Sequence, residues 1–512
     1  MSSWLELQKD LVETHELIAE IEVETITFTR IGGYKATPYS LGLNLLSDPA
    51  ARSLKGIWRW WARAAIVGAY NGKVDYKKAN EHLNMILGGT GKGEGTSLFR
   101  LEISDFEFPP NYKDELNQIN YEIDKFFEKV KDFFKNQIPK LGLPQNTKVS
   151  VSLNPSDPAI IIEHKIKLSR YKNNIDSLVK KGPLGCYFVE SKLTKGNNRI
   201  IIRLRIHKLN YYPEIPRVRL LLMKREEEED ILNGHNIDSE KIVKYLERVK
   251  EEMVVLVSKG IKFKISLYGS KDPEKINFAL SSLMLSLIFG GIGSITKRAF
   301  GSLKLLSYRF GGGIEVDQKI REIFQKLKDG EFTSNELKET LEKLCEITIN
   351  HAKKSFNING GREQSIPVVP SLSNIKIEVV ECESLDLAKI GNAFVKQTWK
   401  SLTKAQGRAL HTWILGLPRF QKETGYAIKR KHDDKTYYDP LRRTSSIGAR
   451  CFKARNKNFI IIFGLLSNDW PKELYHIRRK WQPDHEKLIE GTSIGKVFDC
   501  AFKKVLSGVC GK

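Results

Sequence analysis

The sequence predicts an α+β protein built in two halves of like order. Short β-branched, alternating stretches are interleaved with longer segments of helical period. Each half runs strand, helix, strands, helix, without a literal repeat between the two. A length of 512 residues, 41% of them hydrophobic, suits two or more domains better than one.

Residues 21–30 (IEVETITFTR) alternate and are β-branched, which marks the first strand. A loop punctuated by glycine and proline follows, and Asp48-Pro49 marks the start of a helix. SLFRLEISDFEF (97–108) is the next strand. Residues 111–140 have an apolar face of Tyr121, Phe126, Phe127, Phe133 and Phe134 and are expected to be helical. RIIIRLRIHKL (199–209) and KFKISLYG (262–269) are strands, separated by the acidic run KREEEED (224–230). An apolar helix over 274–289 leads to a strand at 301–310.

The triplet Gly311–Gly313 is the expected boundary between the halves. A charged two-helix stretch, 317–355, comes next, then a strand at 374–383 and a helical region over about 385–415. A basic, polar segment runs from Pro418 to Arg443. Residues 449–466 form a hairpin turning at Asn456-Lys457, and a terminal helix is expected over 484–507.

Lys and Arg number 84 against 61 Asp and Glu, a formal charge of +23. That excess argues for a polyanionic partner, either nucleic acid or an acidic membrane surface. The N-terminus is acidic and polar, unlike a targeting peptide. The longest uncharged apolar run, 278–293, falls short of the ~20 residues a bilayer needs and ends in glycines. No membrane partner is expected, and the chain is expected to be cytoplasmic. The six cysteines contain no CxxC pair and no zinc-type spacing, so no metal or other cofactor is expected and the thiols are expected to be reduced.

Three stretches concentrate the cations. SLKGIWRWWARA (53–64) packs three tryptophans and three basic residues into twelve positions. On a helix, Leu54, Ile57, Trp58, Trp61 and Ala65 share one face. Arg52, Lys55, Arg59 and Arg63 fall within roughly 80° on another. No acidic residue lies between Leu54 and Val74 to neutralise them, which suits phosphate contact.

GGIGSITKRAFGSL (290–303) sets Gly290, Gly291, Gly293 and Gly301 around Lys297 and Arg298. Glycines let a backbone approach phosphate closely, and successive N–H groups in such a turn form an anion-binding concavity. The plainer alternative is a helix-to-strand connector. Arg419, Arg442, Arg443, Arg450, Lys453 and Arg455, with Tyr426, Tyr437 and Tyr438 interleaved among lysines, suit stacking and cationic contacts to single-stranded RNA. GGTGKGEGTS (88–97) is not a P-loop, because Gly91-Lys92 is followed by Gly93 rather than Ser or Thr.

Taken together, GGYKAT, SLKGIWRWWARA, GGTGKGEG with SLFRLEIS, GGIGSITKRAFGSL and the late LGLPR and RRTSSIG resemble the first-subunit family of Cmr-type (type III-B) CRISPR effector complexes. That family belongs to the RAMP superfamily of repeat-associated mysterious proteins. The resemblance implies two ferredoxin-like, RNA-recognition-motif-like domains, one over 1–310 and one over 311–512. It leaves about 105–260 and 317–355 unmatched, as insertions. It implies a non-catalytic subunit of an RNA-guided antiviral ribonucleoprotein, with crRNA, target RNA and other Cmr subunits as partners and no small-molecule substrate. The guide 3′ end region is the expected contact, with help in capturing target RNA. RNA-binding positions carried over are Lys55, Arg59, Arg63, Gly291, Gly293, Lys297, Arg298 and Gly301, then Arg419, Arg442 and Arg443.

Two other readings stay open. One is a metal-independent endoribonuclease using His432, the one histidine set among acids, bases and tyrosines. Against it, metal binding at His432-Asp433-Asp434 would need further ligands at defined spacing, none of which is evident, and the chain has no GGDD signature. The other is a purely structural assembly subunit.

Overall fold

In the computed structural model, the described residues are 16–29, 47–89, 96–110, 128, 259–293, 296–359, 364–394, 411–416, 425–432, 435–439, 443–471, 474–478, 482–487 and 493–510, with four strands between 148 and 205. In chain order the first elements are β1 (Glu16–Thr25), α1 (Ser47–Ala69), α2 (Tyr76–Leu87) and β2 (Phe99–Glu107). Next come β3 (Lys148–Ser152), β4 (Ala159–His164), β5 (Tyr187–Leu193) and β6 (Ile200–Arg205). Then follow β7 (Lys262–Gly269), α3 (Pro273–Leu285) and β8 (Leu303–Phe310).

The chain divides into two compact units, one of residues 1–32, 43–108 and 257–512, the other of 33–42 and 109–256. In the second unit the described strands form an antiparallel sheet in the order β3-β4-β6-β5. The helix expected over 111–140 and the acidic run at 224–230 lie outside the described residues, apart from Glu128, which is helical.

In the first unit, β2-β7-β1-β8 form an antiparallel sheet. With α1 between β1 and β2 and α3 between β7 and β8, this is the βαββαβ ferredoxin-like arrangement. Period-two patterning assigns the faces. Ile21 and Val23 of β1 are buried with Phe263, Ile265 and Leu267 of β7. Glu20, Glu22 and Glu24 alternate with them on the other face. There Glu20 pairs with Arg309, and Lys264 with Asp105 at 2.6 Å.

α1 buries Leu54, Trp58, Trp61, Ala62, Ala65 and Ile66, the face its periodicity predicts. Trp58 donates its indole N–H to Ser282 Oγ of α3 at 2.8 Å, which satisfies a buried polar pair. α3 starts at Pro273 behind Asp272, whose carboxylate accepts from the N–H groups of Glu274 and Lys275. The helix expected over 274–289 ends instead at Leu285 and widens into one π turn, Ser286–Gly290.

After β8 come α4 (Gln318–Asp329), α5 (Ser334–Ser355), β9 (Ile375–Cys382) and α6 (Leu387–Asn392). Next are β10 (Gly425–His432), β11 (Lys435–Asp439), β12 (Ile447–Lys453) and β13 (Asn458–Leu465). The last elements are β14 (Tyr475–Arg478), β15 (Gln482–Lys487) and α7 (Ile494–Cys510). A second antiparallel sheet has the order β12-β13-β9. α5 is capped by the reciprocal Thr333–Glu336 box. It buries Leu337, Leu341, Leu344 and Ile347 and packs against α1, α3 and β9.

Two expectations are corrected here. The basic segment after Pro418 contains a hairpin, β10–β11, closed where His432 faces Lys435; its charges hid the alternation. The terminal helix begins at Ile494, not 484. Residues 482–487 pair with β14, with Pro483 opposite Ile477, and Ser493 opens the helix by accepting from the Lys496 and Val497 N–H groups. Among the described residues no helix is long and apolar enough to cross a membrane.

Candidate nucleic-acid interface

The basic side of α1 lies against α2. Arg59 donates to Asn84 Oδ1 at 2.6 Å, to the Leu87 carbonyl at 3.0 Å and to the Gly88 carbonyl. A guanidinium there meets the negative end of the α2 dipole. Arg63 donates from Nε to Asn80 Oδ1 at 2.7 Å and lies over the Tyr76 ring. The partners named for Arg63, Asn80 and Tyr76, are neutral, so the fold positions it without a named carboxylate. Lys55 is half-buried and makes no hydrogen bond or ion pair among the described residues; burial, helped by Arg59, lowers its pKa.

The loop after the π turn is built on left-handed residues. Gly291, Gly293 and Gly301 have φ of 69°, 86° and 60°. Its ends are tied together by the Ile292 N–H donating to the Gly301 carbonyl at 3.0 Å, and it is tied to α1 by the Gly293 N–H donating to Ser53 Oγ at 3.2 Å. Its far side runs along β12. The Ala449 N–H donates to the Lys297 carbonyl at 3.1 Å, and the Cys451 N–H to Ser302 Oγ at 3.0 Å.

Lys297 joins all three cationic stretches. Its ammonium sits 4.7 Å from the centroid of the Trp60 ring and donates to the Ser445 carbonyl at 2.5 Å. Burial and the nearby Arg443 and Arg298 lower its pKa to about 7. Arg298 turns the other way, donating to the Leu415 carbonyl at 3.2 Å with its guanidinium 3.6 Å from the Phe394 centroid.

Arg443, expected as a phosphate contact, is ion-paired with Asp469 and stacks on Trp470 at 3.6 Å. Asp469 also accepts from Tyr76 Oη at 2.6 Å, so a chain Arg63–Tyr76–Asp469–Arg443 links α1 to the second sheet. With side chains 12% and 15% exposed, Arg443 and Asp469 neutralise each other.

The structure thus brings Lys55, Arg59, Arg63, Gly291, Gly293, Lys297, Arg298, Gly301 and Arg443 into one neighbourhood. Arg419, Arg442 and the side chain of His432 lie outside the described residues. No cluster of three or more His, Cys, Asp or Glu able to hold a metal occurs among the described residues. Sequence reasoning missed the support Trp60 gives Lys297 and the pairing of Asp469 with Arg443. It counted Arg450 only as one more surface cation, although this side chain is fully buried.

A βαββαβ unit whose second helix runs into a glycine loop, facing a cationic first helix, defines a ferredoxin-like protein of the RNA-recognition-motif type. The chain belongs to the RAMP superfamily, whose family model matches residues 50–304, from α1 through the glycine loop into β8. It is similar to the CRISPR system CMR subunit Cmr1 of Saccharolobus solfataricus, 25% identical over 318 residues. That match takes in 58% of this chain and spans 56% of the curated relative's length. Among solved structures, apo Cmr1 from Pyrococcus furiosus is 16% identical with a TM-score of 0.40, covering 95% of this chain and 96% of that one. A chain of the type III-B Cmr-beta complex, solved by cryo-EM bound to cognate target RNA, is 15% identical with a TM-score of 0.49, covering 96% and 100%.

Proposed function

We propose that this chain is the RNA-binding first subunit of a type III-B CRISPR effector complex. It holds the guide RNA near its 3′ end and helps capture target RNA, alongside other Cmr subunits in the cytoplasm. It acts through phosphate contacts and breaks no bond itself. The observation that carries this reading is Lys297, an ammonium with no carboxylate among its named contacts. It rests on Trp60 beside a helix whose Lys55 and Arg63 likewise have no carboxylate among their named contacts. Such charge is left for a polyanion.

Three measurements test it. In binding to single-stranded RNA, Lys55→Ala should weaken affinity and reduce the log–log salt slope by about 0.7, the share of one phosphate on a single strand. An unchanged slope would count against the reading. Purification from the native host should bring down a short RNA with several other proteins; a lone chain would contradict it. If His432→Ala abolished an RNA-cleaving activity while leaving binding intact, the chain would be a nuclease instead.

A further inference from the structure

Resting on that RNA-binding reading, the geometry points to Arg450 as the positioning residue of the interface: a guanidinium supplied by β12 that sets the shape of the glycine loop and so aims Lys297 at the RNA strand. Arg450 is fully buried. Its fork donates to the Thr296 carbonyl at 2.9 Å, the Phe300 carbonyl at 2.6 Å and the Gly301 carbonyl at 2.7 Å. Those acceptors lie on both sides of Lys297-Arg298 in the chain, so one planar group fixes the span of the cationic segment between them.

The loop is made to receive it. A Cβ on Gly291 would stand 1.7 Å from Arg450 Nη2, and a Cβ on Gly301 would stand 1.9 Å from the Ile292 carbonyl oxygen. Adhesion between loop and sheet does not need such a group. Burying a guanidinium whose named bonds all go to carbonyls is costly, and an apolar residue of like size would hold a contact at least as firmly. What only arginine supplies is a rigid array of donors able to reach three carbonyls at once; lysine has a single point charge. Arg450 is therefore placed for geometry, and it makes the RNA site a joint product of both sheets.

The test is a double-mutant cycle with labelled oligouridylate, at pH 6 where Lys297 is charged. Arg450→Lys and Lys297→Ala should each weaken binding about tenfold, the loss of one charge-assisted phosphate contact. Each should lower the salt slope by about 0.7. The double variant should be no weaker than either single one, because Arg450 acts through Lys297. Additive losses, or a folded Arg450→Lys protein with the unaltered slope, would overturn the assignment. Trypsin gives an RNA-independent reading. Cleavage after Lys297 and Arg298 should become faster in Arg450→Lys well below its melting temperature, and unchanged cleavage would refute the proposed seat. If the unaltered protein fails to hold oligouridylate, the RNA-binding reading falls, while faster cleavage still upholds the seat. Should Arg450→Lys not fold, Gly291→Ala, which presses on the same guanidinium, replaces it in both arms.

Discussion

On the RNA-binding reading, Lys297 would respond to its ligand through its own protonation. Burial beside Arg443 and Arg298 brings its pKa from 10.5 down to about 7, so near neutral pH it is only partly charged. A phosphate would favour the ammonium and draw in a proton. RNA affinity is therefore expected to fall as pH rises through about 7, and Lys297→Arg, charged throughout, should remove that dependence; binding titrations across this range check it. The unliganded protein should behave oppositely. Between about 7 and 10.5 the unfolded chain binds more protons at this position than the folded one, so stability rises with pH. Denaturant melts should show that rise and its loss in Lys297→Met. The sequence identified Lys297 because its neighbours in the chain are glycines and arginine. It could not identify Trp60 as its support or Asp469 as the partner of Arg443, because each pairing joins segments brought together only by the fold.

At the scale of elements, the junction of α3 with the glycine loop depends on close approach. A Cβ on Gly290 would stand 2.2 Å from Ile57 Cγ2 and 3.0 Å from Trp61 Nε1. Gly290→Ala should destabilise the protein by about 1–3 kcal/mol through overpacking, read as a lower denaturant midpoint. Removing the α5 cap with Thr333→Ala should cost about 1 kcal/mol, a change that leaves RNA affinity alone because α5 takes no part in the interface. Elements with one clean period were legible: α1 from its tryptophan face, β7 at its observed limits, and the β12–β13 hairpin around Asn456-Lys457. β10 and β11 were not, because their alternation is masked by charge. The true start of α7 depends on Ser493 and on β15 pairing, neither of which carries a periodic signal.

At the scale of the whole molecule, register explains how a long insertion is tolerated. Glu107 at the end of β2 faces Lys262 at the start of β7, so the chain leaves the first sheet and returns to it across one strand pair. Replacing residues 110–257 with a short Gly/Ser turn should therefore leave a chain that melts cooperatively and still binds RNA; loss of a cooperative transition would refute this. The adjacency of the two ends of that stretch was not legible in the sequence, because it depends on how β2 and β7 pair in the sheet. The glycine loop has a different consequence for the assembled chain. By lying along β12 and taking up the Ala449 and Cys451 N–H groups, it guards an outer strand of the second sheet. A variant that unseats the loop bares those amides as a template for another polypeptide. Such proteins will be lost to self-association while most of their native architecture is still intact.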